Sequence, residues 1–205
     1  MSLYQRVLRH PFVYNRIRPW VVGGVDMTQV YEALEARADD VIVDVGCGTG
    51  DALHYVSEFK AYYGFDIDSE AIEFARKAAA GREGVKYEAR EVTEDDLLAT
   101  RPSLVILAGL LHHLDDESAG GLLGMLARTT SIRRIVTQDP VFLRGEHVSN
   151  LLAWPDRGRF VRTEDGYRGL AERAGLRFES GHVMRSDPES GRARYFVMTL
   201  STSSP

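Results

Sequence analysis

Residues 41–51 read Val41, Ile42, Val43, Asp44, Val45, Gly46, Cys47, Gly48, Thr49, Gly50, Asp51. The run Val41, Ile42, Val43, Val45 is too short for a helix and rich in β-branched residues, the pattern of a strand covered on both faces in a parallel sheet. Gly46, Gly48 and Gly50 then alternate, so the backbone can turn tightly and approach a ligand with no Cβ in the way. Residues 51–59 are expected to open a helix whose N–H groups and positive dipole end face that ligand. Strand, glycine loop and helix start in succession make a nucleotide site. The spacing argues against NAD, whose loop runs Gly, any, Gly, any, any, Gly. Asp44, inside the strand end, would repel a pyrophosphate and attract a cationic amino acid group.

Working outward, Tyr63, Gly64, Phe65, Asp66, Ile67, Asp68 closes a second strand with an acidic residue. A carboxylate there can accept hydrogen bonds from both ribose hydroxyls. Val85, Lys86, Tyr87, Glu88, Ala89, Arg90, Glu91, Val92 repeats the pattern with Glu91, and Leu104, Val105, Ile106, Leu107, Ala108, Gly109, Leu110, Leu111, His112, His113, Leu114 gives a fourth strand followed by paired histidines. These four motifs, over about residues 40–140, resemble those of the class I S-adenosylmethionine-dependent methyltransferases that act on small molecules. The resemblance implies S-adenosyl-L-methionine as cofactor. It implies cofactor contacts from Asp44, Gly46, Cys47, Gly48, Gly50, Asp66, Ile67, Glu91, Val92, Ala108 and Leu111. Glu91 stands where the family more often has Asp, and residues 129–134 lack the "leucine, lysine, proline, glycine, glycine" turn that many members carry before strand five.

Composition sets outer bounds. The chain has 205 residues, 44% hydrophobic and 27% charged, enough for one substantial core, so a single domain over 1–205 is expected. No stretch approaches eighteen consecutive apolar residues, and the N-terminus lacks a long apolar run, so a cytoplasmic location with no membrane span is expected. The single cysteine, Cys47, cannot form an intramolecular disulfide and sits in the glycine loop. A formal net charge of −5 and a pI near 5.7 offer no general attraction to phosphate backbones, so nucleic acid is not expected as a partner. No metal site is expected.

Taken in order, residues 1–25 carry Arg6, Arg9, Arg16 and Arg18 among apolar residues at helical spacing, which predicts two short helices and a glycine hinge. In the resembling family such an appendage folds over the cofactor, which assigns Tyr14 and Arg18 to that role here. The core, 26–200, should then alternate: a helix over 26–38, strand one, a helix over 51–59, strand two (61–65), an alanine-rich helix (70–80), strand three (85–88), a short helical turn opened by residues 93–96, strand four (104–108), a helix over 115–128 and strand five (132–137). A helix over 163–174 and a hairpin of 177–185 with 194–200 close the domain. Gly120, Gly121 and Gly124 either weaken their helix or allow close packing. The alternation predicts an α/β, doubly wound, mostly parallel sheet with a C-terminal antiparallel hairpin strand. The resemblance supplies its Rossmann-like order of seven strands, with the last antiparallel. Residues 141–166 form a long irregular stretch of the kind that binds ligands, and Arg144, Arg157, Arg159 and Arg162 in it could meet an anionic acceptor.

The reading that follows is methyl transfer to an oxygen, nitrogen or carbon of a small metabolite. An activated methyl donor leaves the protein to align the nucleophile and exclude water, with a base needed only where the nucleophile must lose a proton. His112, His113, Asp139 and His147 are the candidate catalytic residues, histidine being suited by its titration near neutrality. Nucleic-acid methylation is opposed by Ala108, Gly109, Leu110, Leu111, which replace the motif that amino-methylating DNA enzymes use to hold an extruded base.

Overall fold

The computed structural model describes residues 25–146, 160–186 and 193–202. Residues 1–24 of the predicted cap (1–25), with Tyr14 and Arg18, and the candidate His147 lie outside these residues. Seven strands, β1 (Val41–Val45), β2 (Ala61–Phe65), β3 (Val85–Glu88), β4 (Leu104–Ala108), β5 (Arg134–Pro140), β6 (Leu176–Arg185) and β7 (Arg194–Thr202), form one sheet in the order β3-β2-β1-β4-β5-β7-β6. Strands β1 to β5 pair in parallel, and β7 runs antiparallel to both β5 and β6. The predicted hairpin and the antiparallel last strand are thus present.

Each central strand sends alternate side chains to opposite faces. Val43, Val105, Leu107 and Ile135 face one layer, where they meet Leu97, Leu123, Leu126, Tyr167 and Leu170 from helices α3 (Glu94–Thr100), α4 (Asp116–Arg128) and α5 (Glu164–Arg173). Ile42, Tyr62, Ile106 and Val136 face the other, against Val30, Ile72 and Ala75 from α1 (Thr28–Glu32) and α2 (Ser69–Ala78). Both faces are covered, which is why the strands read as continuous apolar runs. Each fully buried leucine or isoleucine contributes about 1.5–3 kcal/mol relative to an exposed one.

Two helices are shorter than the periodicity predicts, and in both the cause is an arginine reaching from elsewhere to take a carbonyl. The helix expected over 26–38 is only α1. Arg134 Nη1 donates to the Ala33 carbonyl at 2.8 Å, Arg133 Nη2 donates to the Glu35 carbonyl at 2.9 Å, and Glu35 takes a left-handed conformation with φ 50°. The helix expected over 51–59 is a four-residue 3-10 turn, Asp51–His54. Arg82 donates to the carbonyls of Leu53 and Val56 at 2.9 and 3.0 Å, in place of the amides that would extend it. Conversely, the turn expected at 93–96 grows into α3, opened by a capping box between Thr93 and Asp96. Strand five begins two residues later than predicted and runs through Asp139 and Pro140. Among the described residues no helix is long and apolar enough to cross a membrane.

The glycines of α4 are decided by space. A Cβ on Gly120 or Gly121 would meet nothing within 4 Å, and one on Gly124 would meet only the flexible Arg128 Nη1 at 3.5 Å. They permit no close approach, so their effect is the entropic cost of glycine in a helix. Gly121→Ala should therefore raise stability by about 0.5–1 kcal/mol, read as a higher urea midpoint at unchanged slope. A lower midpoint would show that the helix needs the gap.

Candidate functional site

Strand β1 is hydrogen-bonded to β2 on one edge and to β4 on the other, so the connections leaving β1 and β4 diverge and open a crevice at the carboxyl ends of the strands. The glycine loop lies at its rim. Gly46 and Cys47 both donate their amides to the Phe65 carbonyl, at 2.7 and 3.1 Å, and Gly50 donates to the Cys47 carbonyl at 2.9 Å. Gly50 adopts φ +81°, and a Cβ there would lie 2.5 Å from Tyr87 Oη, so the last loop glycine is fixed by the ring packed beneath it. Cys47 is buried, and its Sγ stands 2.8 Å from where a Cβ on Gly64 would be.

Asp66, at the end of β2, ties the loop from outside. Its Oδ2 accepts the Gly48 amide at 2.8 Å and its Oδ1 accepts the Asp68 amide at 2.8 Å. A carboxylate has about four lone-pair positions, so each oxygen keeps acceptor capacity after these bonds. Beside it Ile67 is 75% exposed, a large apolar side chain held in solvent at the crevice rim. Asp68 in turn caps α2 by accepting the amides of Glu70 and Ala71.

Asp44 lies near the carboxyl end of β1, before the loop. It is 3% exposed, and its Oδ2 accepts the Tyr62 hydroxyl at 2.5 Å. Burial pushes its carboxyl up to about 7; the Tyr62 hydrogen bond pulls the other way, and the charges of Asp66 and Asp51 add to the rise. Tyr31, whose ring stacks on Tyr55 at 4.9 Å, has its hydroxyl pushed well up, by burial first and then by Asp44.

Across the crevice, at the ends of β4 and β5, a second buried acid meets a histidine. His112 lies in a 3-10 turn, Leu111–His113, and is fully buried, as is Asp139 at 1% exposure. Asp139 Oδ1 lies 2.7 Å from His112 Nδ1 and accepts the His112 backbone amide at 3.0 Å. Burial pushes the Asp139 carboxyl up, opposed by the hydrogen bonds and charge of His112 and by the charge of Arg162. Among the described residues, His112 Nε2 and Asp139 Oδ2 are both buried without a hydrogen-bond partner. His113 is exposed, with its ring 4.0 Å from that of His112.

Arg162 locks this turn in place. Its Nη1 donates to the carbonyls of Leu111 and Phe160 at 2.8 Å, its Nη2 to the Leu114 carbonyl at 2.9 Å and to Asp116 Oδ1 at 2.7 Å, and its Nε to the same carboxylate oxygen at 3.0 Å. All five guanidinium N–H groups are used. The expectation that Arg162 could meet an anionic acceptor is therefore corrected: its donors are spent on the backbone that carries His112. Phe160 also donates its amide to the His112 carbonyl at 3.1 Å.

The predicted residues thus fall into two groups. Asp44, Gly46, Cys47, Gly48, Gly50, Asp66 and Ile67 gather at the ends of β1 and β2, and Ala108, Leu111, His112, His113 and Asp139 at the ends of β4 and β5. Leu111 is fully buried in the core, and Val92 packs into the same layer. Glu91 is exposed after β3, its carbonyl accepting Arg90 Nη1 at 3.0 Å. Sequence reasoning missed Tyr62 and Tyr87 and gave Arg162 a different role. Tyr62 and Tyr87 fall at inward positions of predicted strands, a signal that could have marked them, whereas the separation of 51 positions between Leu111 and Arg162 leaves no local trace.

Residues 43–129 match the family model of a methyltransferase domain. No curated protein matches the chain by sequence. Among solved structures, the chain is similar to human N-acetylserotonin methyltransferase in complex with S-adenosylmethionine, at 20% identity and a TM-score of 0.66 over 99% of this chain and 59% of that one. It is similar to a TehB-like S-adenosylmethionine-dependent methyltransferase from Corynebacterium glutamicum, at 19% identity and a TM-score of 0.62 over 93% and 96%. It is also similar to the N-methyltransferase NodS from Bradyrhizobium japonicum, at 14% identity and a TM-score of 0.64 over 96% and 99%.

The buried Asp44 predicts a pH dependence. Its folded value, about 7, lies above the ordinary 3.8, so the protonated acid is favoured in the folded state. The stability it contributes is intact below the ordinary carboxylate range and is lost as pH rises to about 7. Asp44→Asn keeps an acceptor for Tyr62 and removes the charge. Its stability advantage over the natural protein should grow by about 2–3 kcal/mol from pH 5 to pH 8 and level off above, measured by urea unfolding without ligand. An advantage independent of pH would place the charge elsewhere.

Proposed function

We propose that the chain, whose residues 43–129 match the family model of a methyltransferase domain, is a class I S-adenosylmethionine-dependent methyltransferase whose acceptor is a small molecule methylated on oxygen, nitrogen or carbon. S-adenosylmethionine is the cofactor. The observation that carries the residue assignment is Asp66. It is anchored at Gly48 and Asp68, keeps acceptor capacity for a ribose diol, and stands next to the exposed Ile67, which offers an apolar cover for an adenine. The loop and its acid fit an adenosyl group, and Asp44 behind them favours a cationic ammonium over a pyrophosphate. When bound, the cofactor supplies a methyl group already activated on a sulfonium. The protein's share is to hold the acceptor in line and keep water out.

The small-molecule reading is supported by the net charge of −5, unsuited to a nucleic-acid surface, and by the Ala108–Leu111 stretch, which has no residue set for holding an extruded base. It predicts that protein incubated with methyl-labelled S-adenosylmethionine and a cell extract transfers label into the low-molecular-weight fraction. Label appearing only in nucleic acid or protein would contradict it. Asp66→Ala should weaken cofactor binding by about 1.5–3 kcal/mol, roughly 10- to 150-fold, because hydrogen bonds to a charged acceptor are lost. Calorimetry on the folded variant checks this, and an unchanged affinity would reduce Asp66 to a loop anchor.

A further inference from the structure

Resting on the methyl-transfer reading, we propose that His112 is the base of the reaction, set as a proton acceptor by Asp139, and that the methyl acceptor is a hydroxyl compound, an alcohol or a phenol. The geometry favours one tautomer. Asp139 Oδ1 accepts the His112 backbone amide at 3.0 Å, and as a carboxylate oxygen it accepts as well from the ring nitrogen 2.7 Å away. With the proton on Nδ1, a neutral imidazole carries a bare lone pair on Nε2. That lone pair is buried and has no partner among the described residues, which costs stability unless a ligand satisfies it. The ring's Cε1 edge faces Gly109, 3.8 Å from where a Cβ would sit, at the carboxyl end of β4 where the crevice opens.

A dyad that only pinned the turn would need one ring nitrogen and would have no use for a second, orphaned one. The orphan asks for a hydrogen-bond donor, which selects among nucleophiles. An O–H group donates to Nε2 and then loses its proton to it. A carbon acid donates no useful hydrogen bond. A neutral amine attacks through a lone pair it already has and needs no base before the new bond forms. In the transfer, the acceptor's O–H bond breaks and its proton passes to Nε2. The oxygen's electron pair forms the new C–O bond, and the pair of the broken carbon–sulfur bond stays with sulfur. The imidazolium, steadied by Asp139, later releases the proton to solvent. Asp139 acts as a positioning residue, and Arg162 holds the turn from behind through Leu111, Leu114 and Phe160.

Two readouts test this. In the 15N-labelled protein without acceptor, long-range 1H–15N spectra at pH 7.5 should show the His112 ring, identified by its loss in His112→Gln, as the Nδ1–H tautomer. The Nε2–H tautomer would overturn the proposal; where His112→Gln does not fold, the ring is assigned in the natural protein through its correlation to the His112 backbone. Second, the small molecule that takes up label from the extract should be an O-methyl product. His112→Gln should lower its kcat about 10²- to 10⁴-fold with cofactor affinity by calorimetry unchanged within about threefold. An N- or C-methyl product, or a variant as fast as the natural protein, overturns the base and leaves methyl transfer standing. Cofactor binding with no label moved to any small molecule by the natural protein overturns the transfer reading and this proposal with it.

Discussion

One strand, β1, is shared by two neighbours that run parallel to it, and the chain can leave its carboxyl end only by turning away from one of them. That constraint opens the crevice, and the sequence at the turn is what three glycines and a following acid allow. The loop's amides are mostly spent on the protein itself: Gly46 and Cys47 on Phe65, Gly48 on Asp66, Gly50 on Cys47. The loop therefore offers a ligand its shape and its lack of side chains, with little free N–H to grip a phosphate. On the proposed reading, recognition falls to Asp66 and Ile67, and the short 3-10 turn at Asp51–His54 offers little of the dipole that a full helix would bring.

Three buried acids show how the same residue type is put to different ends. Burial pushes Asp40 up, but hydrogen bonds from Arg133 and Ser103 outweigh it and hold the carboxyl below its ordinary range, so it serves to bind β5 to the loop before β1. Among the described residues Asp44 has only the Tyr62 hydroxyl against its burial and sits near two other acids, an environment that would favour a cationic ligand on the proposed reading. Asp139 has a histidine, and the pair carries two unpartnered atoms. Charge compensated by arginine reads as architecture, and charge left short of partners at the crevice reads as chemistry.

The strands were legible because each is a short apolar run bounded by turn residues: β2, β3 and β4 begin and end where their hydrophobic pattern does. The helices were less so. Periodicity placed α2, α4 and α5 within a residue or two, since those helices end on their own caps. It overran α1 and the segment after Gly50, where Arg82, Arg133 and Arg134 intercept carbonyls from tens of residues away. The site followed the same division. Asp44, Asp66, His112 and Asp139 could be placed at the carboxyl ends of the strands because each lies near the end of a strand or follows one closely. Tyr62 as the partner of Asp44, and Arg162 as the clamp on the His112 turn, depend on tertiary contacts that no local pattern records.

The central claim is that the crevice beside β1 is built for an adenosyl group carrying an amino acid, and not for a dinucleotide. Isothermal titration of the natural protein with the demethylated cofactor and, separately, with NAD tests it most directly. The account predicts saturable one-to-one binding of the first and no heat of binding from the second. Binding of NAD with none of the adenosyl amino acid would contradict it.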